Sequence, residues 1–200
     1  MSDHYYSNEP TAAHDRARFD FDLLGNLLTF TTDSSVFSRH TVDFGSRVLL
    51  SVIPEVKVIS GPILDVGCGY GPIGLALAKY FPERQVTLTD VNQRALQLAK
   101  ENAVANRIEN VQIKTSDGYA QVQDTYAAIL TNPPIRAGKA VVDRILQEAE
   151  AHLLPGGQLL AVLQKKQGAP SAKRLLTAAF GNCQVLKRDK GYYILQSFKK

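Results

Sequence analysis

Two hundred residues, 44% of them hydrophobic, hold enough apolar material for a sizeable core, and a single domain spanning 1–200 is the simplest division. No run approaches the roughly 18 apolar residues of a membrane span, the opening MSDHYYSNEP lacks the basic-then-apolar order of a signal peptide, and two cysteines make no disulfide framework, so the expected setting is a reduced cytoplasm. The net charge of +4 is uneven: from Gln164 onward nine basic residues stand against Asp189 alone, +8 there and −4 over the first 163 residues, which suits a polyanionic partner or, equally, a solvated lysine-rich surface.

In chain order, FDFDLLGNLLTFTTD (19–33) predicts two short strands turning near Gly25-Asn26, and FGSRVLLSVI (44–53) a helix. These first 60 residues read as a flap on the main domain. After Pro62, strand and helix patterns alternate. ILDVG (63–67) is a short apolar strand running into glycines, and GPIGLALAKYF (71–81) has helical spacing with Pro72 in its first turn. QVTLTD (85–90) alternates as a strand does, and NQRALQLAKENAVAN (92–106) is an amphipathic helix with Asn92 as its N-cap. VQIKTSD (111–117) and AAILTN (127–132) are the third and fourth strands of this series. AVVDRILQEAEAHLL (140–154) is a helix stopped by Pro-Gly-Gly, QLLAVLQ (158–164) a fifth strand, and SAKRLLTAAF (171–180) a further helix. The chain then closes in a β-hairpin, CQVLKR (183–188) and YYILQSF (192–198), turning at Asp-Lys-Gly. The alternation implies an α/β fold: a doubly wound, mainly parallel, seven-stranded sheet with an antiparallel C-terminal hairpin strand. Ligands in such sheets sit at the carboxyl ends of the strands, where the strand order switches.

LDVGCGYGPIG joins the first parallel strand to its helix. Gly69-x-Gly71-x-x-Gly74 satisfies the dinucleotide fingerprint, with Asp90 at the end of the next strand, so a dehydrogenase is one reading. Asp65 just before the turn, and the earlier start Gly67-x-Gly69-x-Gly71, oppose it. The arrangement resembles the nucleotide loop of class I S-adenosyl-L-methionine (SAM)-dependent methyltransferases. That resemblance implies that the backbone of Gly67, Cys68 and Gly69 lines the methionine part of the cofactor and that Asp65 holds its ammonium end through the loop or water. Asp90, followed by Val91, would take the ribose hydroxyls, and Asp117, followed by Gly118, the adenine amino group. One strand-end aspartate alone reads as a cap or turn; three beside a glycine loop read as a nucleotide site. His4, His14, His40 and His152 show no ligand spacing and Cys68 has no neighbouring His or Cys, so no metal is expected.

TNPPI (131–135) ends an apolar strand with two residues that cannot donate ladder hydrogen bonds. In isolation Asn-Pro-Pro is an ordinary turn. Beside a SAM-type loop it resembles the signature of enzymes that methylate planar NH₂ groups: adenine N6, cytosine N4, guanine N2 or the glutamine amide. In that reading the Asn132 side-chain oxygen and the Pro133 carbonyl each accept one N–H and aim the nitrogen lone pair at the methyl group. Pro133 and Pro134 fix the carbonyl directions, and Ile135 covers one face of the flat substrate.

The segments FTTDSSVFSRHTVDFGSRVLL, ILDVGCGYGPIGLALAK, DVNQRALQLAKENA, ILTNPPIRAGK, QKKQGAPSAK and DKGYYIL together resemble the single-domain form of the small-subunit ribosomal RNA guanine-N2 methyltransferase family. The resemblance implies methyl transfer from SAM to the exocyclic N2 of a guanine in 16S-type rRNA, with the rRNA or the assembling small subunit as partner. Monomer and homodimer both stay open. Better-defined enzymes of the family resemble two tandem methyltransferase-like domains, of which this chain holds the catalytic one. Within VFSRHTVDFGS (36–46), Phe37 and Asp43 sit near the cofactor's edge, or Asp43 serves only as a helix cap. Arg136, Lys139, Lys165 and Lys166 flank the motif on the same rim, where they could meet RNA phosphates. Tyr192 and Tyr193 alternate along a strand, so at least one belongs to the core. Other readings are a different planar amino group, such as protein glutamine N5 or adenine N6, and a non-catalytic RNA-binding or assembly factor on the same fold.

Overall fold

The computed structural model describes residues 13–34 and 36–200; the stretch MSDHYYSNEP, with His4, lies outside them. Strands β1 (Ala17–Leu23) and β2 (Asn26–Thr32) form an antiparallel hairpin closed by Leu24-Gly25, one residue earlier than the sequence suggests. Both turn residues have positive φ, 55° and 77°, the two-residue geometry whose twist matches the flanking strands. Helix α1 (Phe44–Leu50) stops short of the predicted end because Pro54 has no N–H to continue it, and Ile53–Glu55 tightens into a 3-10 turn.

The main sheet is then laid down by β3 (Ile63–Val66), α2 (Pro72–Tyr80), β4 (Val86–Asp90), α3 (Gln93–Ala105), β5 (Val111–Thr115), β6 (Tyr126–Thr131), α4 (Lys139–Glu148), β7 (Leu153–Gln164), α5 (Ala169–Phe180), β8 (Gln184–Asp189) and β9 (Tyr192–Phe198). Its order is β5-β4-β3-β6-β7-β9-β8, parallel from β5 to β7, with β9 antiparallel to both of its neighbours. The chain steps outward from β3 to β5, then returns to the other side of β3 as β6. This reversal opens a crevice at the carboxyl ends of β3 and β6.

Side-chain alternation divides the core into two layers. Ala128, Leu130, Leu160 and Val162 face α1, α2, α3 and the hairpin, whereas Ile129, Leu159, Ala161 and Leu163 face α4 and α5. With both faces covered, the central strands read as unbroken apolar runs. Gly74 of α2 lies against β4: a Cβ there would stand 2.4 Å from Leu88 Cγ.

The predicted helix over 140–154 is corrected by the structure. It ends at Glu148, passes through a 3-10 turn (Ala149–His152), and Leu153 enters β7 opposite Tyr126. Pro-Gly-Gly is therefore inside the strand as an irregularity. A Cβ at Gly157 would lie 2.8 Å from the Leu154 carbonyl and 2.9 Å from that of Tyr126, so the crossing requires glycine. Among the described residues no helix is long and apolar enough to cross a membrane.

The N-terminal hairpin is fastened to the sheet domain. On α3, Asn102 and Asn106 lie one turn apart and present their amides to alternate residues of β2. Asn102 accepts from the Thr31 N–H (2.7 Å) and donates to the Thr31 carbonyl (3.0 Å); Asn106 does the same for Thr29 (2.9 and 2.8 Å). The two side chains thus occupy an open strand edge as a neighbouring strand would. Asn102 also donates to the Tyr70 carbonyl at 3.0 Å, and the Phe30 and Tyr70 rings meet edge-on at 5.6 Å, joining the hairpin to the glycine loop.

Candidate active site

The loop after β3 is built from alternating left-handed residues: Gly67, Gly69 and Gly71 have φ of 75°, 57° and 96°. The N–H groups of Gly67 and Cys68 both donate to the Thr89 carbonyl at 2.8 and 2.9 Å, which ties the loop to β4. The Asp90 carboxylate accepts from the Gly69 N–H at 2.8 Å and the Asn92 N–H at 2.9 Å. Asn92 in turn caps α3, its Oδ1 accepting from the Ala95 N–H. A Cβ at Gly69 would meet nothing within 4 Å; that face opens into a cavity of about 310 Å³.

Beneath the loop, Asp65 is fully buried. Its Oδ2 accepts from the Gly74 N–H at 2.8 Å, and its Oδ1 has no hydrogen-bond partner among the described residues. Burial pushes its carboxyl up to about 7; the Asp90 charge acts in the same direction and the Gly74 N–H against it. Burial also raises Asp90, opposed by the N–H groups of Asn92, Gly69 and Val91. Among the described lining residues Arg136 is the only cation, beside the carboxylates of Asp43 and Asp90.

The wall beside the loop is Asn132-Pro133-Pro134; a Cβ at Gly67 would lie 4.0 Å from Pro134 Cδ. Thr131 Oγ1 donates to the Val66 carbonyl at 2.9 Å and binds the end of β6 to the end of β3. The Pro134 carbonyl accepts from the Ala137 N–H, and Ile135–Ala137 forms a 3-10 turn. Asn132 Nδ2 donates to Asp43 Oδ2 at 2.7 Å and to Ser46 Oγ at 3.1 Å. A carboxylate accepts and does not donate, so the amide must turn its nitrogen toward Asp43, leaving Oδ1 as its remaining polar atom. Asp43 Oδ2 also caps α1 by accepting from the Ser46 N–H at 3.0 Å. Asp43 is thus a helix cap, as one sequence reading has it, and also a lining residue of the cavity.

The cavity brings together Phe37, Asp43, Gly67, Cys68, Gly69, Asp90, Asn132, Pro133, Pro134, Ile135 and Arg136. Asp65 lies under its floor, and Val91 contributes its N–H to Asp90. Asp117 and Gly118 are not among the cavity's described lining residues: the Asp117 carboxylate accepts from the Arg144 guanidinium of α4 at 2.5 Å, and a Cβ at Gly118 would lie 3.9 Å from Arg144 and Ile145 side-chain atoms. Lys139 is ion-paired with Asp143 on its own helix, and Lys165 and Lys166 are exposed just past the rim. Among the polar lining residues not read as site residues in the sequence are Ser46, Tyr70, Gln164 and Gln167. None carries a spacing signal. They arrive through α1, the glycine loop and the end of β7. Tyr192, read as possible core, also lines the cavity, with its hydroxyl accepting from Gln164 Nε2 at 2.5 Å.

Comparisons with known proteins fit this architecture. Residues 27–196 match the family described as "Methyltransferase small domain". A Bacillus subtilis (strain 168) protein, "Uncharacterized protein YbxB", is 50% identical over 201 residues, covering 100% of both chains. "Ribosomal RNA small subunit methyltransferase C" of Photorhabdus laumondii is 34% identical over 82% of this chain and 48% of its own. The structure of the T. thermophilus 16S rRNA N2 G1207 methyltransferase (RsmC), in complex with AdoMet and guanosine, superposes with a TM-score of 0.83 at 28% identity, covering 96% of this chain and 52% of that one. The chain thus spans about half the length of these two rRNA methyltransferase relatives. The match running from β2 into β9 shows that the chain belongs to the methyltransferase small domain family, on a Rossmann-like sheet.

Proposed function

We propose that this protein is a SAM-dependent N-methyltransferase that modifies the exocyclic N2 amino group of a guanine in small-subunit rRNA. The observation that carries the reading is the locked amide of Asn132 in the same cavity as the Gly67–Gly69 loop. The residues present suit SAM. Gly69 leaves open the space a Cβ would fill, Asp65 keeps a buried carboxylate oxygen without a partner among the described residues, and the charge set favours a cationic ligand. The Gly67, Cys68 and Gly69 backbone and Asp65 would hold the methionine end and Asp90 the ribose. Asp117, one of whose carboxylate oxygens is paired with Arg144, would take the adenine amino group.

When bound, SAM supplies an electrophilic methyl group on a sulfonium. The chain's part is positional. An exocyclic amino nitrogen is a weak nucleophile because its lone pair is delocalised into the ring. Asn132 Oδ1 and the Pro133 carbonyl accept its two N–H groups, direct the lone pair toward the methyl and stabilise the positive charge that grows on nitrogen. Asp43 and Ser46 keep the amide in the accepting orientation, and Ile135 covers the base.

The testing experiment incubates the protein with methyl-labelled SAM and either small ribosomal subunits or free 16S rRNA, followed by digestion to nucleosides. Label is expected in N2-methylguanosine. Label in N6-methyladenosine or in protein would overturn the guanine assignment.

A further inference from the structure

Strand direction brings much of the basic C-terminal segment to the rim that holds Asn132. β7 and β8 point the same way because each is antiparallel to β9. Arg188 at the end of β8, Lys190 in the turn, and Lys165 and Lys166 after β7 therefore all stand at the rim beside the cavity. The Lys165 N–H donates to the Gly191 carbonyl at 2.7 Å, joining the two turns. Next to them a groove of about 610 Å³ lies between α5 and β8, lined in part by Lys173, Arg174, Arg188 and Tyr193, with no carboxylate among its described lining residues. The Arg188 guanidinium sits 5.0 Å from the Tyr193 ring, which holds the cation at the groove. Charges on an edge strand also discourage pairing with other chains. That accounts for Arg188 but not for the two cations facing it from α5.

We propose that this groove, continued along the rim by Lys190, Lys165 and Lys166, holds the sugar–phosphate backbone of a single RNA strand whose target base enters the cavity beside Asn132. The proposal rests on the RNA reading given above and names the surface that reading needs. A single strand fits because a base must leave its pair to expose its amino group to the enclosed site. From β6 to β8 is three strand spacings, about 15 Å. At about 3.4 Å per stacked nucleotide, the strand places roughly four phosphates along that path.

The test compares the full chain with a Lys173→Gln/Arg174→Gln/Arg188→Gln variant and with Lys173→Gln/Arg174→Gln, which leaves the Arg188–Tyr193 pair intact. Binding of a fluorescent single-stranded oligoribonucleotide is measured over a range of salt concentrations, with SAM affinity and melting temperature as folding controls. Each phosphate of a single strand that is no longer neutralised lowers the log–log salt slope by about 0.7, so the slope should fall by about 2 in the triple variant and by about 1.4 in the double. SAM affinity should not change. Lys199→Gln/Lys200→Gln removes charge from the far end of β9 and should leave the slope unchanged; an equal decrease there would overturn the groove assignment. An unchanged slope in the triple variant, with wild-type protein still binding and methylating RNA, would overturn the groove while leaving the proposed function standing. Failure of the wild-type protein to bind or label RNA would overturn both.

Discussion

Asp43 Oδ2 serves α1 and Asn132 at once, and two substitutions separate those roles. Asp43→Asn keeps a capping side chain but replaces a charge-assisted hydrogen bond with a neutral one of about half the strength; Asp43→Ala loses both. We expect kcat to fall several-fold in Asp43→Asn and by tenfold or more in Asp43→Ala, with KM for SAM within about twofold in each. An effect on KM alone would assign Asp43 to the cofactor. Asn132→Ala should lower kcat by about 10²-fold or more, as expected for loss of a transition-state acceptor, without weakening SAM binding measured by calorimetry. Asp65 is tested by Asp65→Asn, which keeps an acceptor for the Gly74 N–H and removes the buried charge. SAM affinity should drop by at least tenfold, and the unliganded protein should melt higher at pH 8. The asparagine and prolines of the motif were legible because strand-ending Asn-Pro-Pro carries its chemistry in adjacent residues. Ser46 was not, since it reaches Asn132 from a helix 86 residues earlier in the chain.

At the scale of elements, the fastening of the hairpin is what the sequence did not show. A free flap would leave both edges of a two-stranded ribbon to solvent, whereas Asn102 and Asn106 of α3 occupy one edge of β2. Replacing both with alanine leaves four backbone groups of Thr29 and Thr31 without these partners, at about 1 kcal/mol or more per hydrogen bond removed. The expected result is faster hydrogen exchange at the Thr29 and Thr31 amides and a melting temperature several degrees lower. Protection unchanged at those two amides would mean that the aromatic packing alone holds the hairpin. The helix 92–106 was readable from its amphipathic period and Asn92 cap, and the same period reads its inward asparagines only as polar. What they bond to is a strand far away in sequence. The misread end of α4 has a similar origin: Leu153 and Leu154 continue a helical apolar pattern, but pairing of Leu153 with Tyr126 draws the chain into β7.

For the whole molecule, two buried carboxylates pull stability in opposite directions with pH. Burial raises Asp33, but the bonds from His14 and from the Asp15 and Ser34 N–H groups outweigh it and hold the carboxyl at about 2. Its contribution is present above pH 4 and is lost as pH falls through 2. Asp65, raised to about 7, keeps its proton in the folded state where the unfolded chain has lost it, so stability declines as pH rises from about 4 through 7. The unliganded protein should therefore be most stable near pH 4–5 and lose melting temperature toward pH 8. SAM at about 100 times its Kd should add about 2.7 kcal/mol at pH 8, a rise of roughly 5–10 °C in a scanning calorimeter. No rise with SAM would remove the cofactor assignment. The alternation of patterns after Pro62, the glycine loop and the Asn-Pro-Pro turn were determined by local sequence, because periodicity, positive φ and the missing proline N–H act within a few residues. Tertiary structure alone decided that Asp43 and Ser46 clamp Asn132, that Asp117 pairs with Arg144, and that Arg188 and Lys190 join Lys165 and Lys166 at the rim of the cavity. Each of those arrangements joins residues distant in the chain, and only the strand order and direction of the folded sheet bring them together.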